Sequence, residues 1–275
     1  MRRLFTFDFS PLTSTPTLAE PVLSTPPTIT PDWSKPFETL RRKWHEVPSG
    51  ALLRRTTGDL AKLSDADLLA FWKKQHADCS TGRSYSIRGW YYDLYKDQFR
   101  GRRVLDVGSG LGFDALTFAA QGAMVTCADI VQSNLDLLAR LARIMSLGQS
   151  VSFHYIEDLN SLTQLPADFD FLWAQGSLIN APFEQMKPEI SELARHLKIG
   201  GRWIELAYPR IRWEREGRLP FSEWGKKTDG PATPWMEWYD LDKLRQALAP
   251  AEFDTVLYFE FRGGEFNWFD LIRRS

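Results

Sequence analysis

Cysteine is scarce in this chain: Cys79 and Cys127 are all that 275 residues contain. They stand far apart and at no metal-ligand spacing, so neither a disulfide framework nor a zinc or other metal site is expected. A reducing cytoplasm is the default compartment for such a sequence. An excess of either charge is missing too. The 34 Lys and Arg nearly balance 35 Asp and Glu, which leaves no basic field to hold nucleic acid or an anionic membrane. No apolar run approaches the roughly 18 residues of a spanning helix. The opening MRRLFTFDFS carries two arginines with no adequate apolar stretch behind them, so no signal peptide is expected. The first 30 residues are Ser/Thr-rich and acid-poor, as in a transit peptide, but their prolines argue more for a disordered tail.

What is present is the make-up of an ordinary globular protein, 43% hydrophobic and 25% charged. The length suffices for one large domain with a sizeable core. Residues 1–34 read as a flexible Pro/Ser/Thr-rich tail. Residues 35–99 read as helical. Ser64 is placed to cap LSDADLLAFWKKQHAD, with Asp67 in capping-box position, and IRGWYYDLYKDQF forms a second helix. From residue 100 strand and helix alternate. The runs RRVLDVG, AMVTCADI, VSFHYIED, FDFLWAQG and GRWIELAY are apolar enough for buried strands, and helical stretches separate them. Ser133 is placed to cap one of those helices, with Gly148 as its stop. Such repetition means a parallel sheet with helices on both faces. A tryptophan-rich insertion over 208–240 breaks the rhythm. After it, RGGE between two aromatic-rich runs predicts a closing antiparallel hairpin.

Residues 104–115, VLDVGSGLGFDA, pose the chemical question. Gly108, Gly110 and Gly112 alternate directly after a strand, and Asp106 precedes them. Dinucleotide sites use G-x-G-x-x-G to bring pyrophosphate to a helix N-terminus. Here the spacing is G-x-G-x-G, and a carboxylate at its mouth repels a phosphate and attracts a cation. The second strand ends in Asp129, an acid able to accept both hydroxyls of a ribose.

This stretch resembles motif I of the class I S-adenosylmethionine-dependent methyltransferases, an acid followed by G-x-G-x-G. The resemblance covers about residues 100–207 and extends to the hairpin at 255–274. CADI, YIEDLNSL, FDFLWAQGSLIN and LKIGGRWIEL follow VLDVGSGLG in the family's order. It implies an α/β, Rossmann-like, seven-stranded, mostly parallel sheet with an antiparallel last strand and an N-terminal helical lid. It implies S-adenosyl-L-methionine as cofactor. Gly108, Ser109, Gly110 and Gly112 would pass under its methionine part, with Asp106 near the cationic end. Asp129, followed by Ile130, would hold the ribose. Asp158 or Glu157 would meet the adenine. Gln175 and Gly176 would line the cofactor near the transferred methyl, and Arg88 would take the methionine carboxylate.

Methyl transfer demands alignment more than a fixed catalytic signature, and a general base only where the acceptor must shed a proton. His76 and Tyr208 are the candidates for catalysis. Tyr85, Tyr208, Arg210, Trp213, Trp235 and Trp238 are candidates for the acceptor pocket, since aromatic walls with a few polar groups suit a small molecule. The same tryptophans could simply staple the insertion, and Arg210 could pair with Glu214 or Glu216. The expected function is methyl transfer to oxygen or nitrogen of a soluble metabolite or natural-product intermediate. No nucleic acid or membrane partner is expected, and oligomeric state is not legible. Two alternatives stand beside it: an NAD(P)-dependent oxidoreductase with an altered fingerprint, and a non-catalytic cofactor-binding module.

Overall fold

Strand β3 (Arg103–Val107) shows why the sheet forms where it does. Four of its five residues are buried, Val104 toward one side and Leu105 toward the other, as a strand covered on both faces requires. The computed structural model describes residues 30–48, 54–81 and 85–275. Most of the tail expected over 1–34 lies outside them.

Ahead of the sheet come helix α1 (Pro36–Trp44), a short antiparallel pair β1 (Glu46–Pro48) and β2 (Arg54–Thr56), and helices α2 (Thr57–Ala61), α3 (Asp65–Ser80) and α4 (Tyr85–Tyr95). After β3 follow α5 (Phe113–Ala120), β4 (Met124–Asp129), α6 (Gln132–Ile144), β5 (Val151–Tyr155), α7 (Leu159–Leu162), β6 (Phe169–Gln175), α8 (Phe183–Arg195) and β7 (Leu197–Ala207). The insertion holds α9 (Arg210–Arg215) and α10 (Phe221–Asp229). The chain closes with α11 (Leu241–Leu248), β8 (Phe253–Phe261) and β9 (Phe266–Arg273).

Seven strands form one sheet in the order β5-β4-β3-β6-β7-β9-β8. The first five are parallel, and β9 runs antiparallel to both its neighbours. This is the expected Rossmann-like order. The chain walks outward from β3 to β5 and then resumes on the other side at β6. The switch between β3 and β6 leaves a crevice at their carboxyl ends, where ligands bind in open α/β sheets. Core residues on one face, including Leu172, Trp203 and Leu244, lie with α8 and α11. Those on the other, including Trp173, Trp268 and Phe118, lie with α4 and α5.

Ser64 does cap α3, its Oγ accepting from Asp67 N at 3.1 Å. Two local expectations change. Residues 35–99 are not helical throughout, because β1 and β2 interrupt them. Ser133 is not the cap of α6; the helix begins at Gln132 behind Val131, which has no side-chain cap, and the Asp129 carboxylate holds the turn into the helix by accepting from Val131 N at 2.8 Å. That helix also stops before Gly148, with Ser146 at φ 59° behind it.

Candidate active site at the carboxyl edge of the sheet

The loop from β3 to α5 forms the floor of the crevice. Gly108 has φ 72°, and a Cβ there would meet Ser177 Cβ at 2.4 Å. The close approach joins the loop after β3 to the loop after β6, and the Ser177 hydroxyl donates to Val107 O at 2.7 Å. Gly112, at φ 66°, gives α5 its start, and a Cβ there would lie 2.1 Å from Leu138 of α6. Around Gly176, by contrast, a Cβ would meet open space, and at Gly110 only Gly108 O at 4.0 Å. Gly108 is exposed, and Gly110, Gln175 and Gly176 are half-buried, so the loops from β3 and β6 share an accessible face. The Ser109 hydroxyl turns back onto Asp106 O at 2.8 Å.

Asp129, at the end of β4, closes this loop. Its Oδ2 accepts from Gly110 N at 3.0 Å and its Oδ1 from Val131 N, with Asn134 Nδ2 3.4 Å from both oxygens. Burial raises its pKa to about 6, although those hydrogen bonds pull the other way. A carboxylate has about four acceptor positions; two backbone N–H groups take two, and the long Asn134 contacts are the ones that a pair of hydroxyls would share or displace. Ile130 follows it directly. On the next loop Glu157 and Asp158 are exposed, and Asp158 Oδ1 caps α7 through Ser161 N at 2.9 Å.

Acids gather behind the glycines. Asp106 is 3% exposed, and burial, with the Asp114 carboxylate next, pushes its pKa well above the usual range. Arg88 offsets part of this charge through an ion pair to Asp114, which also accepts from Tyr91 Oη at 3.1 Å and Tyr92 Oη at 2.7 Å. Arg88 is therefore committed to protein partners here. His76 stacks between Trp72 and Tyr92, at 4.8 and 5.6 Å, and its Nε2 lies 2.9 Å from Thr117 Oγ1. Burial lowers its pKa, against the pull of Asp114. It lies on α3 and meets α5 through Thr117. Tyr85 begins α4, but its side chain lies outside the described residues.

The insertion covers the ends of β6 and β7. Glu237 N donates to Ile179 O at 2.7 Å and Tyr239 N to Tyr208 O at 3.0 Å, which pins it across both strand ends. Tyr208 packs edge-on to Trp224 at 5.9 Å and carries the Arg212 guanidinium 4.2 Å above its ring. Arg210 is exposed and pairs with Glu214 at 3.1 Å. Trp213 donates to Leu219 O at 2.7 Å and Trp235 to Glu237 Oε2 at 2.8 Å. These contacts realise the stapling role for both tryptophans. Trp238 differs, since its indole nitrogen is buried with no hydrogen-bond partner. Asn180 Oδ1, Glu205 Oε1 and Tyr239 Oη, on the elements the insertion covers or within it, are orphaned likewise. Buried polar atoms are normally satisfied, and these mark this end of the crevice as a place with hydrogen bonds to offer.

Several residues here escaped the sequence reading. Asp114 stands two places beyond the last glycine and Ser177 next to Gly176, so adjacency to the motif was a usable signal. Arg41 and Asn134 had none. Arg41 reaches Ile130 O at 2.8 Å and Ile156 O at 3.1 Å, and also bonds Glu157 O, across about 90 to 116 positions of chain.

Comparison with known proteins agrees with this geometry. Residues 104–201 match a family model described as a methyltransferase domain. A ubiquinone biosynthesis O-methyltransferase of Idiomarina loihiensis is 31% identical over 116 residues, 42% of this chain and 46% of that protein. The protein of the same name from Xylella fastidiosa is 37% identical over 106 residues, 37% and 40% of the two chains. The match thus spans less than half the length of these relatives. A solved structure from Pyrococcus horikoshii OT3 superposes with a TM-score of 0.56 at 15% identity, covering 72% of this chain and 96% of that one, which shows shared fold.

Proposed function

We propose that the chain, whose residues 104–201 match a family model described as a methyltransferase domain, transfers a methyl group from S-adenosyl-L-methionine to a hydroxyl or amine of a small molecule. One observation carries the reading. A glycine loop with an accessible face is closed on Asp129 and backed by the buried carboxyls of Asp106 and Asp114. That surrounding suits an uncharged ribose, and a cationic sulfonium and ammonium bound beside Asp106 would favour its ionised form.

The residues present fit the cofactor. Gly110 and Gly176 leave backbone free to approach it, and Asp129 can accept from ribose hydroxyls that share or displace the long Asn134 contacts. Ile130 and Asp158 or Glu157 stand on the two loops beyond, for the adenine, and Gln175 lines the opposite wall. When bound, the cofactor supplies an electrophilic methyl carbon on its sulfonium. The protein's part is alignment and exclusion of water, a role for which the covering insertion is suited. Asn180, Trp238, Tyr239 and Glu205 offer both donors and acceptors to a polar acceptor molecule. Tyr208 and His76 are held by protein contacts in this arrangement, so neither is needed as a base for the reading to stand. Relatives named O-methyltransferases favour an oxygen acceptor. Near-zero net charge favours a small molecule over nucleic acid. Among the described residues no helix is long and apolar enough to cross a membrane, and both cysteines are free thiols, in keeping with a reducing cytoplasm.

Thermal unfolding with S-adenosylmethionine, S-adenosylhomocysteine, NADH or no ligand tests this. A ligand at 100 times its dissociation constant stabilises by about 2.7 kcal/mol. A rise in Tm with both sulfur cofactors and none with NADH is expected. No rise with either sulfur cofactor on folded protein would remove the reading.

A further inference from the structure

Helix α1 lies across the carboxyl edge of the sheet, and it is tied down at both ends. Ahead of its first turn, Trp33 meets Trp235 of the insertion edge-on at 5.8 Å. Near its last turn, Arg41 donates Nε to Ile130 O and one terminal nitrogen to Ile156 O and Glu157 O. Those carbonyls belong to the first residues beyond β4 and β5, so one guanidinium joins the two loops. The same group lies 5.4 Å over the Tyr155 ring. Between the anchors Leu40 is buried, and Phe37 and Trp44 pack on the same core. The end of α1 is also connected to Asp129. Asn134 Nδ2 donates to Trp44 O at 3.1 Å and contacts the Asp129 carboxylate, while its Oδ1 accepts from Thr57 Oγ1 at 2.6 Å. One helix thus runs from the acceptor end of the crevice to the loops at the ribose end.

Resting on the cofactor assignment above, we propose that Arg41 is a positioning residue: it fixes the two adenosine-side loops together and fastens α1 as a strap over the bound cofactor, so that release of the demethylated product requires this tie to open. The planar fork is what the task needs. It spans carbonyls on two loops at once, which the point charge of a lysine does not reproduce. The chain supplies its own control. Arg273 also donates to three carbonyls, those of Ala194, Arg195 and Leu197, at the far end of α8 and away from the crevice.

The test measures S-adenosylhomocysteine affinity and dissociation rate for the wild type, Arg41→Met, Arg41→Lys and Arg273→Met. Hydrogen exchange of the α1 amides is followed with and without the ligand. Arg41→Met is expected to bind about tenfold more weakly through faster dissociation, and Arg41→Lys to recover little of this. Arg273→Met should lose thermal stability and keep its affinity. In the wild type the ligand should slow exchange at residues 40–44. Equal affinity of Arg41→Met and wild type would overturn the proposal, as would an equal loss in Arg273→Met. Should Arg41→Met fail to fold, binding to the wild type without protection of α1 overturns it alone. A wild type that does not bind the ligand overturns the cofactor reading and this inference together.

Discussion

The Gly110 amide donates to the Asp129 carboxylate at 3.0 Å, across the gap between the loop after β3 and the end of β4. The acid thus holds the glycine loop in its open-faced shape, and the ribose role proposed for it would be a second task in the same place.

A pH dependence follows. Burial raises the Asp129 pKa to about 6, and the ionised form is the stronger acceptor for hydroxyl donors. Affinity for S-adenosylhomocysteine should therefore fall as pH drops through 6 and level off above 7, with a proton released on binding near pH 6. Calorimetry in buffers of different ionisation enthalpy reads that proton. Asp129→Asn should bind more weakly at pH 7 and lose the pH dependence; a wild-type affinity that is flat from pH 5 to 8 would remove Asp129 from the ribose.

Gly108 and Ser177 make a separable pair. A Cβ at residue 108 would meet the Ser177 Cβ at 2.4 Å and would also have to accept φ 72°. Overpacking costs roughly 1–3 kcal/mol and left-handed backbone roughly 1–2 kcal/mol. Gly108→Ala should lower stability by both amounts. Adding Ser177→Gly should return at most the overpacking part, less what the lost Ser177–Val107 hydrogen bond contributed, measurable by denaturant unfolding against the Ser177→Gly single variant. Full rescue would mean that backbone strain contributes nothing.

Much of this was legible in the chain because it is local. Alternating strand and helix runs gave five strands of the large sheet, the RGGE hairpin gave the other two, and VLDVGSGLG with CADI placed Asp106, the glycines and Asp129 in one crevice. Sequence order could not show what the N-terminal region does there. The β1–β2 pair is two three-residue strands separated by five residues outside the described part, too short for any periodicity. Arg41 is one of two adjacent arginines on an amphipathic helix until tertiary contacts bring it to Ile156 and Glu157. Ser133 read as a helix cap because its type favours that position, but Asp129, four residues earlier, already serves α6.

Arg88 and Asp114 form an ion pair whose acid is 5% exposed and which two tyrosine hydroxyls complete. Removing one member of a buried pair leaves an uncompensated charge and costs about 3–5 kcal/mol. Arg88→Met alone should be strongly destabilised, and Arg88→Met with Asp114→Asn much less so. Cofactor affinity of the double variant then separates roles. If it matches the wild type, Arg88 serves packing, and if it is lost in a well-folded protein while Asp114→Asn alone still binds, Arg88 also meets the methionine carboxylate.

Glu205 sets the last expectation. It is fully buried in β7, with Oε2 accepting from Trp203 Nε1 at 2.8 Å and Oε1 without a partner. Burial raises its pKa to about 8, against the pull of the Trp203 indole, and burial alone raises Glu189 on α8 to about 7. In the unfolded chain both ionise near pH 4. A carboxyl whose folded pKa is raised contributes fully below that value, and its contribution declines as pH climbs to the folded pKa. The ligand-free protein should therefore lose stability steadily from about pH 4 to pH 8. Glu205→Gln carries no titrating group at this position, so its Tm should fall less over that range, with Glu189, Asp129 and Asp106, all raised by burial, contributing to the remaining slope. Unfolding scans in half-unit pH steps decide it: identical slopes for the two proteins would mean that Glu205 is already ionised at neutral pH, and that its buried oxygen has a partner supplied by solvent or substrate.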